Sequence, residues 1–186
     1  MIVPVLPMTG TSGFVSRKGF FEVNGNGVII RPVTESDIPA LLGLIHELAE
    51  YEKLTHLMVA TEDLYKEALF GEKPAAEALI ALLDDKPVGY AIFFQNFSSF
   101  LGRAGLYLED IYVTPDMRGR GLGKTLFCTV GKIARDRGCG RYEWCVLKWN
   151  KPSIEFYEAL GAEALDEWLM MRLTGDALDK VADQAC

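Results

Sequence analysis

The stretch that decides the fold is Leu108-Glu109-Asp110-Ile111-Tyr112-Val113-Thr114-Pro115-Asp116-Met117-Arg118-Gly119-Arg120-Gly121-Leu122-Gly123-Lys124. An apolar run reads as a strand and is stopped by Thr114-Pro115. A glycine-dense turn, Arg118 to Gly123, follows. After it Leu126, Phe127, Val130, Ile133 and Ala134 recur at helical spacing, with Gly138 as a stop. A strand, a glycine turn and a helix start in this order expose backbone N–H groups at the positive end of the helix dipole, a geometry that binds phosphate. Glycine suits such a turn because a side chain would hold a ligand off the backbone. A turn of this kind can also simply join a strand to a helix, so the surroundings have to decide.

Upstream, residues 1–26 are rich in Gly, Thr, Ser and Asn without a period and read as an arm, closed by the turn residues Asn24-Gly25-Asn26-Gly27. Residues 1–27 form an N-terminal extension in this reading, and 28–186 form the domain. Val28–Arg31 is a strand. Thr34-Glu35-Ser36-Asp37 resembles a capping box and opens a helix that carries Ile38, Leu41, Leu42, Ile45, Leu48 and Ala49 to about Tyr51. A second helix starts at Thr61, turns Leu64, Ala68 and Leu69 inward and stops at Gly71. Ala78–Leu83 and Val88–Phe94 form a hairpin around Asp84-Asp85-Lys86, and Gln95 to Arg103 is a looser connection. Downstream, Arg141–Leu147 is a strand, Ser153–Leu160 a helix closed by Gly161, Trp168–Leu173 a last strand, and a short polar helix ends the chain. The order β-α-α-β-β-β-α-β-α-β-α predicts a mixed sheet with helices on both faces.

Composition narrows the chemistry. The chain has 186 residues, 49% apolar and 24% charged, with a formal net charge of −7. An acidic surface disfavours nucleic acid, which wants a basic face. It suits a cationic ligand and equally serves solubility. Cys128, Cys139, Cys145 and Cys186 form no C-x-x-C pair, and with only His46 and His56 beside them no metal site is expected. Free thiols in a reducing cytoplasm are the expected state. No apolar run approaches the roughly 18 residues of a membrane helix. Met1–Met8 is broken by Pro4 and Pro7 and lacks a basic segment, so no signal peptide is expected.

Three phosphate patterns compete for the turn. The P-loop pattern G-x-x-x-x-G-K-[ST] ends well on Gly123-Lys124-Thr125, but its first glycine falls on Arg118. The dinucleotide pattern G-x-G-x-x-G takes Gly119 and Gly121, but its third glycine falls on Lys124. The pattern [Q/R]-x-x-G-x-[G/A] fits in full as Arg118-x-x-Gly121-x-Gly123. A second signature, Asn150-Lys151-Pro152-Ser153-Ile154-Glu155-Phe156-Tyr157-Glu158-Ala159-Leu160-Gly161-Ala162, fits N-x-x-[SA]-x-x-[FL]-Y-x-x-x-G-[FA].

Together these two segments resemble the GNAT N-acetyltransferases, and the likeness covers most of residues 28–175. The run from Tyr107-Leu108-Glu109-Asp110-Ile111-Tyr112-Val113 onward, with Tyr51-Glu52 after Glu47-Leu48-Ala49, is most similar to the branch of diamine acetyltransferases that holds the spermidine/spermine and thialysine enzymes. The resemblance implies an α/β GNAT fold, with a mixed, mostly antiparallel sheet flanked by helices. It implies direct transfer of acetyl from acetyl-coenzyme A to a primary amine of a small cationic acceptor: a diamine, a polyamine or a lysine analogue. It implies that Glu109 accepts the amine proton through water and that Tyr157 protonates the departing sulfur. Ile111, Tyr112 and Val113 would offer backbone N–H groups to the acetyl carbonyl and pantetheine. Arg118, Gly119, Arg120, Gly121, Leu122, Gly123 and Lys124 would cradle the pyrophosphate, and Asn150 and Ser153 would line the pantetheine channel. Tyr51, Glu52 and Glu109 would meet the acceptor. A homodimer is also implied.

Each role has a plainer competitor. On the residues alone, Tyr157 also reads as a core aromatic, Tyr51-Glu52 as a solvated helix end, and Arg118 and Lys124 as surface cations. Alternation sends one of Glu109 and Asp110 inward, and an inward carboxylate on an apolar strand is costly unless it is paired, which favours a functional role for at least one of them. The polyamine enzymes carry Asp-Pro-Trp upstream of the position of Tyr107, where this chain has Ser98-Ser99-Phe100, which points to shorter acceptors. The same coenzyme site would also serve a protein or aminoglycoside acetyltransferase, or a coenzyme A sensor without catalysis.

Overall fold

The computed structural model describes residues 21–23 and 27–185. The rest of the arm, including Asn24 to Asn26, lies outside the described residues. The chain divides into two compact units, one running to Cys145 and one starting at Val146.

The first unit is a six-stranded sheet in the order β1 (Phe21–Val23), β2 (Val28–Pro32), β3 (Glu77–Leu83), β4 (Lys86–Ser98), β5 (Arg103–Val113) and β6 (Tyr142–Trp144). All neighbours are antiparallel except β5 and β6, which are parallel. This is the mixed, mostly antiparallel sheet expected from the sequence. Helices α1 (Ile38–Glu52) and α2 (Glu62–Phe70) join β2 to β3, and α3 (Leu122–Asp136) joins β5 to β6. Leu41, Leu44 and Ile45 of α1 and Leu69 of α2 pack against Ala78, Ile80, Tyr90, Ile92 and Tyr112 on one face of the sheet. The five α3 residues that mark its periodicity are all buried, and α3 packs on β4 and β5.

Local chemistry explains the joints. Asp84 and Asp85 both have positive φ, 49° and 61°, between paired Leu83 and Lys86, the two-residue hairpin turn whose twist matches that of the strands. At the entry to α1, the Arg31 guanidinium donates two hydrogen bonds to Asp37, at 2.6 and 2.8 Å, and the Thr34 N–H donates to the same carboxylate at 2.7 Å. Chiefly through Arg31, these hold Asp37 down at about 2. A carboxyl held below its unfolded value adds stability above the unfolded pKa, and that stability is lost as pH falls through the folded one. Asp37→Asn should therefore cost about 1–2 kcal/mol at pH 7 and little near pH 2, measured by urea unfolding at both values.

The structure departs from the sequence expectations at five places. Phe21–Val23 pairs with β2 although it lies in the stretch read as an arm. Leu64 is 58% exposed; capping by the Thr61 side chain at the Leu64 N–H starts the helix so that Tyr65, Ala68 and Leu69 turn inward instead. β4 continues to Ser98, paired with β5 throughout, so the looser connection shrinks to residues 99–102. β6 is confined to Tyr142–Trp144. Trp168–Leu173 forms no strand: Trp168 is 73% and Met171 86% exposed, and the described residues of the second unit form helices α4 (Lys151–Ala159) and α5 (Asp176–Ala182) but no strand.

Candidate active site

The glycine turn has the shape that a diphosphate needs. Gly119 and Gly121 have φ of 73° and 83°, values that side-chain-bearing residues rarely adopt. Gly121 is the N-cap of α3 and has no side chain with which to cap it. The first N–H groups of a helix have no intrahelical acceptor, so those of α3 face outward with the dipole behind them. Arg120 and Lys124 are exposed beside them, whereas Leu122 is buried and can offer only its backbone. Arg118 bends back: its Nε donates to the Val113 carbonyl at 3.1 Å, and its guanidinium lies 5.0 Å from the Tyr51 ring centre and 5.6 Å from that of Tyr112. It therefore ties the end of α1 to the turn.

The edge of β5 leads into this turn. β6 pairs with β5 only at Leu106, Tyr107 and Leu108. Beyond Leu108 no described strand covers that edge of β5. The Thr114 N–H donates to Val88 on β4 at 3.0 Å; by alternation the N–H groups of Val113 and Ile111 point to the other, uncovered edge. These are two of the three amides that the resemblance assigns to the acetyl carbonyl and pantetheine; the third, the Tyr112 N–H, points to β4 and is not available to a ligand. The Tyr112 side chain faces the core, and its hydroxyl donates to Glu47 at 3.0 Å.

A bulge sets the carboxylates. Ile92 lies opposite Asp110 and Phe93 opposite Leu108, which leaves Glu109 as the extra residue on β5. Such an insertion re-aims the side chains around it. Leu108 and Asp110, two apart, thus face opposite sides of the sheet. Asp110 turns toward α1 and α2, while Glu109 is exposed. Burial, then the charges of Glu109 and Glu52, push Asp110 up to about 6. Burial also raises Glu52 at the end of α1 and Tyr65 on α2, the latter further through Asp110 and Glu109. Glu52, Glu109, Asp110 and Tyr65 thus form one acidic neighbourhood, and Tyr51 lies beside it under Arg118. Of this neighbourhood, Glu109, Glu52 and Tyr51 are site residues the sequence points to, whereas it assigns no role to Asp110 or Tyr65. The adjacent carboxylates were a visible signal; which of them turns inward depends on the bulge.

Asn150, Ser153 and Tyr157 belong to the second unit. Asn150 is the N-cap of α4, and its carbonyl accepts from the N–H groups of Ser153 and Ile154, both at 3.1 Å. Ser153 and Tyr157, four apart, share one face of the helix. Tyr157 is half-buried, and burial raises its phenol above the ordinary value, so it keeps its proton at neutral pH.

The family model described as "Acetyltransferase (GNAT) family" matches residues 43–162. The chain belongs to the GNAT acetyltransferase family. It is 39% identical to a thialysine N-epsilon-acetyltransferase of Bos taurus, over 83% of this chain and 97% of that protein. It is 34% identical to L-ornithine N5-acetyltransferase NATA1 of Arabidopsis thaliana, over 82% and 86%. Among solved structures it resembles an integron cassette protein from the mobile metagenome of V. cholerae, with a TM-score of 0.72 and 27% identity, over 86% of this chain and all of that one. The GNAT assignment accounts for the mixed sheet and for the placement of the glycine turn at the start of α3. The residues of the first unit fit the coenzyme of GNAT enzymes on structural grounds: two positive-φ glycines, uncapped helix amides, flanking cations and an uncovered strand edge. No helix among the described residues is long and apolar enough to cross a membrane.

Proposed function

We propose that this enzyme transfers the acetyl group of acetyl-coenzyme A directly to the primary amine of a small cationic acceptor: a diamine, a polyamine or a lysine analogue. The observation that carries the reading is the continuity, within one unit, of the glycine turn, the uncovered edge of β5 and the acidic neighbourhood of Glu52, Glu109 and Asp110. The names of the relatives, thialysine and ornithine acetyltransferases, support an amine carried on a short chain. At the hairpin tip Ser98 is buried, and its hydroxyl accepts the Leu101 N–H at 3.3 Å. It serves the turn and brings no acid for a distant second ammonium, which favours short acceptors over long polyamines.

The coenzyme supplies the thioester. Arg118 to Lys124 hold its diphosphate, with Asn150 and Ser153 along the pantetheine, and the N–H groups of Ile111 and Val113 steady the acetyl carbonyl as charge develops on it. An alkylammonium has a pKa near 10.4 and cannot attack until it loses a proton. Glu109, exposed to water on the bulge, takes that proton through a water molecule. Tyr157, protonated at neutral pH, returns a proton to the sulfur. In this reading the cysteines stay as free thiols in a reducing cytoplasm, and the enzyme works as a homodimer, as members of the branch commonly do.

A panel of diamines, polyamines, ornithine, thialysine and aminoglycosides, each with acetyl-coenzyme A and a free-thiol readout, tests the acceptor class. Thiol release confined to aminoglycosides would contradict it. Glu109→Gln should lower kcat/KM by about 100-fold, most at mildly acidic pH, where free amine is scarcest. A loss uniform across pH, or none, would remove Glu109 as the base.

A further inference from the structure

Arg118 is held differently from Arg31, Arg137 and Arg141, each of which pairs with a carboxylate. Its guanidinium lies against two aromatic rings, 5.0 Å from the centre of Tyr51 and 5.6 Å from that of Tyr112, close enough for the ring faces to attract the cation. Its Nε donates to the Val113 carbonyl at 3.1 Å, which orients the planar fork. The two rings belong to different elements. Tyr112 is buried on β5, whereas Tyr51 lies in the last turn of α1 and is 41% exposed. One turn before Tyr51, Glu47 accepts the Tyr112 hydroxyl at 3.0 Å. Glu47 and Tyr51, four apart, share a face of the helix, so the end of α1 is tied to β5 twice, through the Tyr112 hydroxyl and through Arg118. The helix stops at Lys53 with a φ of 60°, and the connection beyond it leaves Leu57 and Val59 exposed. That connection does little to hold the helix end, so the side-chain ties must. Val113 serves both sides of this arrangement. Its carbonyl anchors Arg118, and its N–H points to the uncovered edge of β5.

We propose that the Arg118 side chain is a positioning residue: it latches the last turn of α1, with Tyr51 and Glu52, onto the strand end that receives the coenzyme, and so couples the acceptor side of the site to the coenzyme side. What the two sides bind rests on the amine-acetyltransferase reading. Arg118 then serves the diphosphate through its backbone alone. A coenzyme seated on the Val113 N–H fixes the peptide whose carbonyl holds Arg118, and Arg118 in turn fixes Tyr51 and Glu52. Because linkage is reciprocal, a bound acceptor tightens the coenzyme by the same factor.

The test combines amide hydrogen exchange at Leu48–Glu52 in the full chain with calorimetric titration of coenzyme A, and of ornithine and 1,4-diaminobutane with and without coenzyme A, beside steady-state thiol release. Wild type, Arg118→Met, Tyr51→Leu and the double variant are compared. In Arg118→Met the helix end should exchange about three- to tenfold faster. Its affinity for coenzyme A alone should stay within about twofold. Wild type should bind the amine about fivefold more tightly once coenzyme A is present, and Arg118→Met should lose that gain. The KM for the amine should rise by about fivefold with kcat little changed. The double variant should be no worse than the poorer single one, as for two halves of one contact. Additive losses, or unchanged exchange at Leu48–Glu52 in a folded Arg118→Met, would overturn the latch and leave the amine-acetyltransferase reading standing. A loss of coenzyme affinity as large as the loss of amine affinity would place the guanidinium on the diphosphate and overturn the latch as well. Uptake of neither amine by wild type, with no thiol release, would overturn the amine-acetyltransferase reading, while faster exchange in Arg118→Met would still support the latch.

Discussion

Tyr157→Phe is expected to lower kcat by about 100-fold while the dissociation constant of coenzyme A stays within about twofold. The phenol is half-buried and pushed above its ordinary pKa, so it stands ready as a donor near neutral pH. Phe keeps the ring and its packing on α4 and removes only the proton. The leaving group is a thiolate, which departs more easily than an alkoxide because a thiol's pKa is near 8.5. That places the expected loss at the low end of the usual range for a general acid. Thiol release gives kcat, and calorimetry gives coenzyme affinity in the same preparation. A folded Tyr157→Phe enzyme with unchanged turnover would remove Tyr157 as the acid. Loss of coenzyme binding would instead return it to the role of a packing aromatic.

Gly121→Val should weaken coenzyme A by about 100-fold or more. At φ of 83° a β-branched residue is strained by about 1–2 kcal/mol, a cost visible as a lower Tm. A Cβ at Gly121 would meet no protein atom within 4 Å. The space is open, and the added carbons would obstruct only a ligand that approaches the backbone closely. The two readouts therefore separate: Tm drops by a few degrees, while coenzyme affinity collapses. A folded Gly121→Val protein that binds coenzyme A as wild type does would show that the diphosphate sits elsewhere.

Local signals made much of this legible. α3 was visible because Leu126, Phe127, Val130, Ile133 and Ala134 repeat at a helical period and all bury. The turn at Asp84-Asp85 and the glycine turn were visible because their residues tolerate positive φ. What escaped depends on partners distant in sequence. Phe97 pairs with Ala104 only because β4 and β5 are held in register further down, and a Ser/Phe-containing stretch carries no mark of that. Trp168–Leu173 has an apolar, strand-like composition, but a strand exists only as a paired ladder. The bulge at Glu109 is a mismatch between two strands and cannot be read from one of them. It was therefore clear that Glu109 or Asp110 must turn inward, but not which.

In the proposed mechanism, main-chain amides of the turn between Arg118 and Lys124 hold the diphosphate of coenzyme A. Equilibrium dialysis of coenzyme A against the purified chain, at low and high salt, tests this directly. Saturable uptake of one coenzyme per chain, weakened by salt and lost in Gly121→Val, is the predicted result. Absence of uptake at millimolar coenzyme would contradict it.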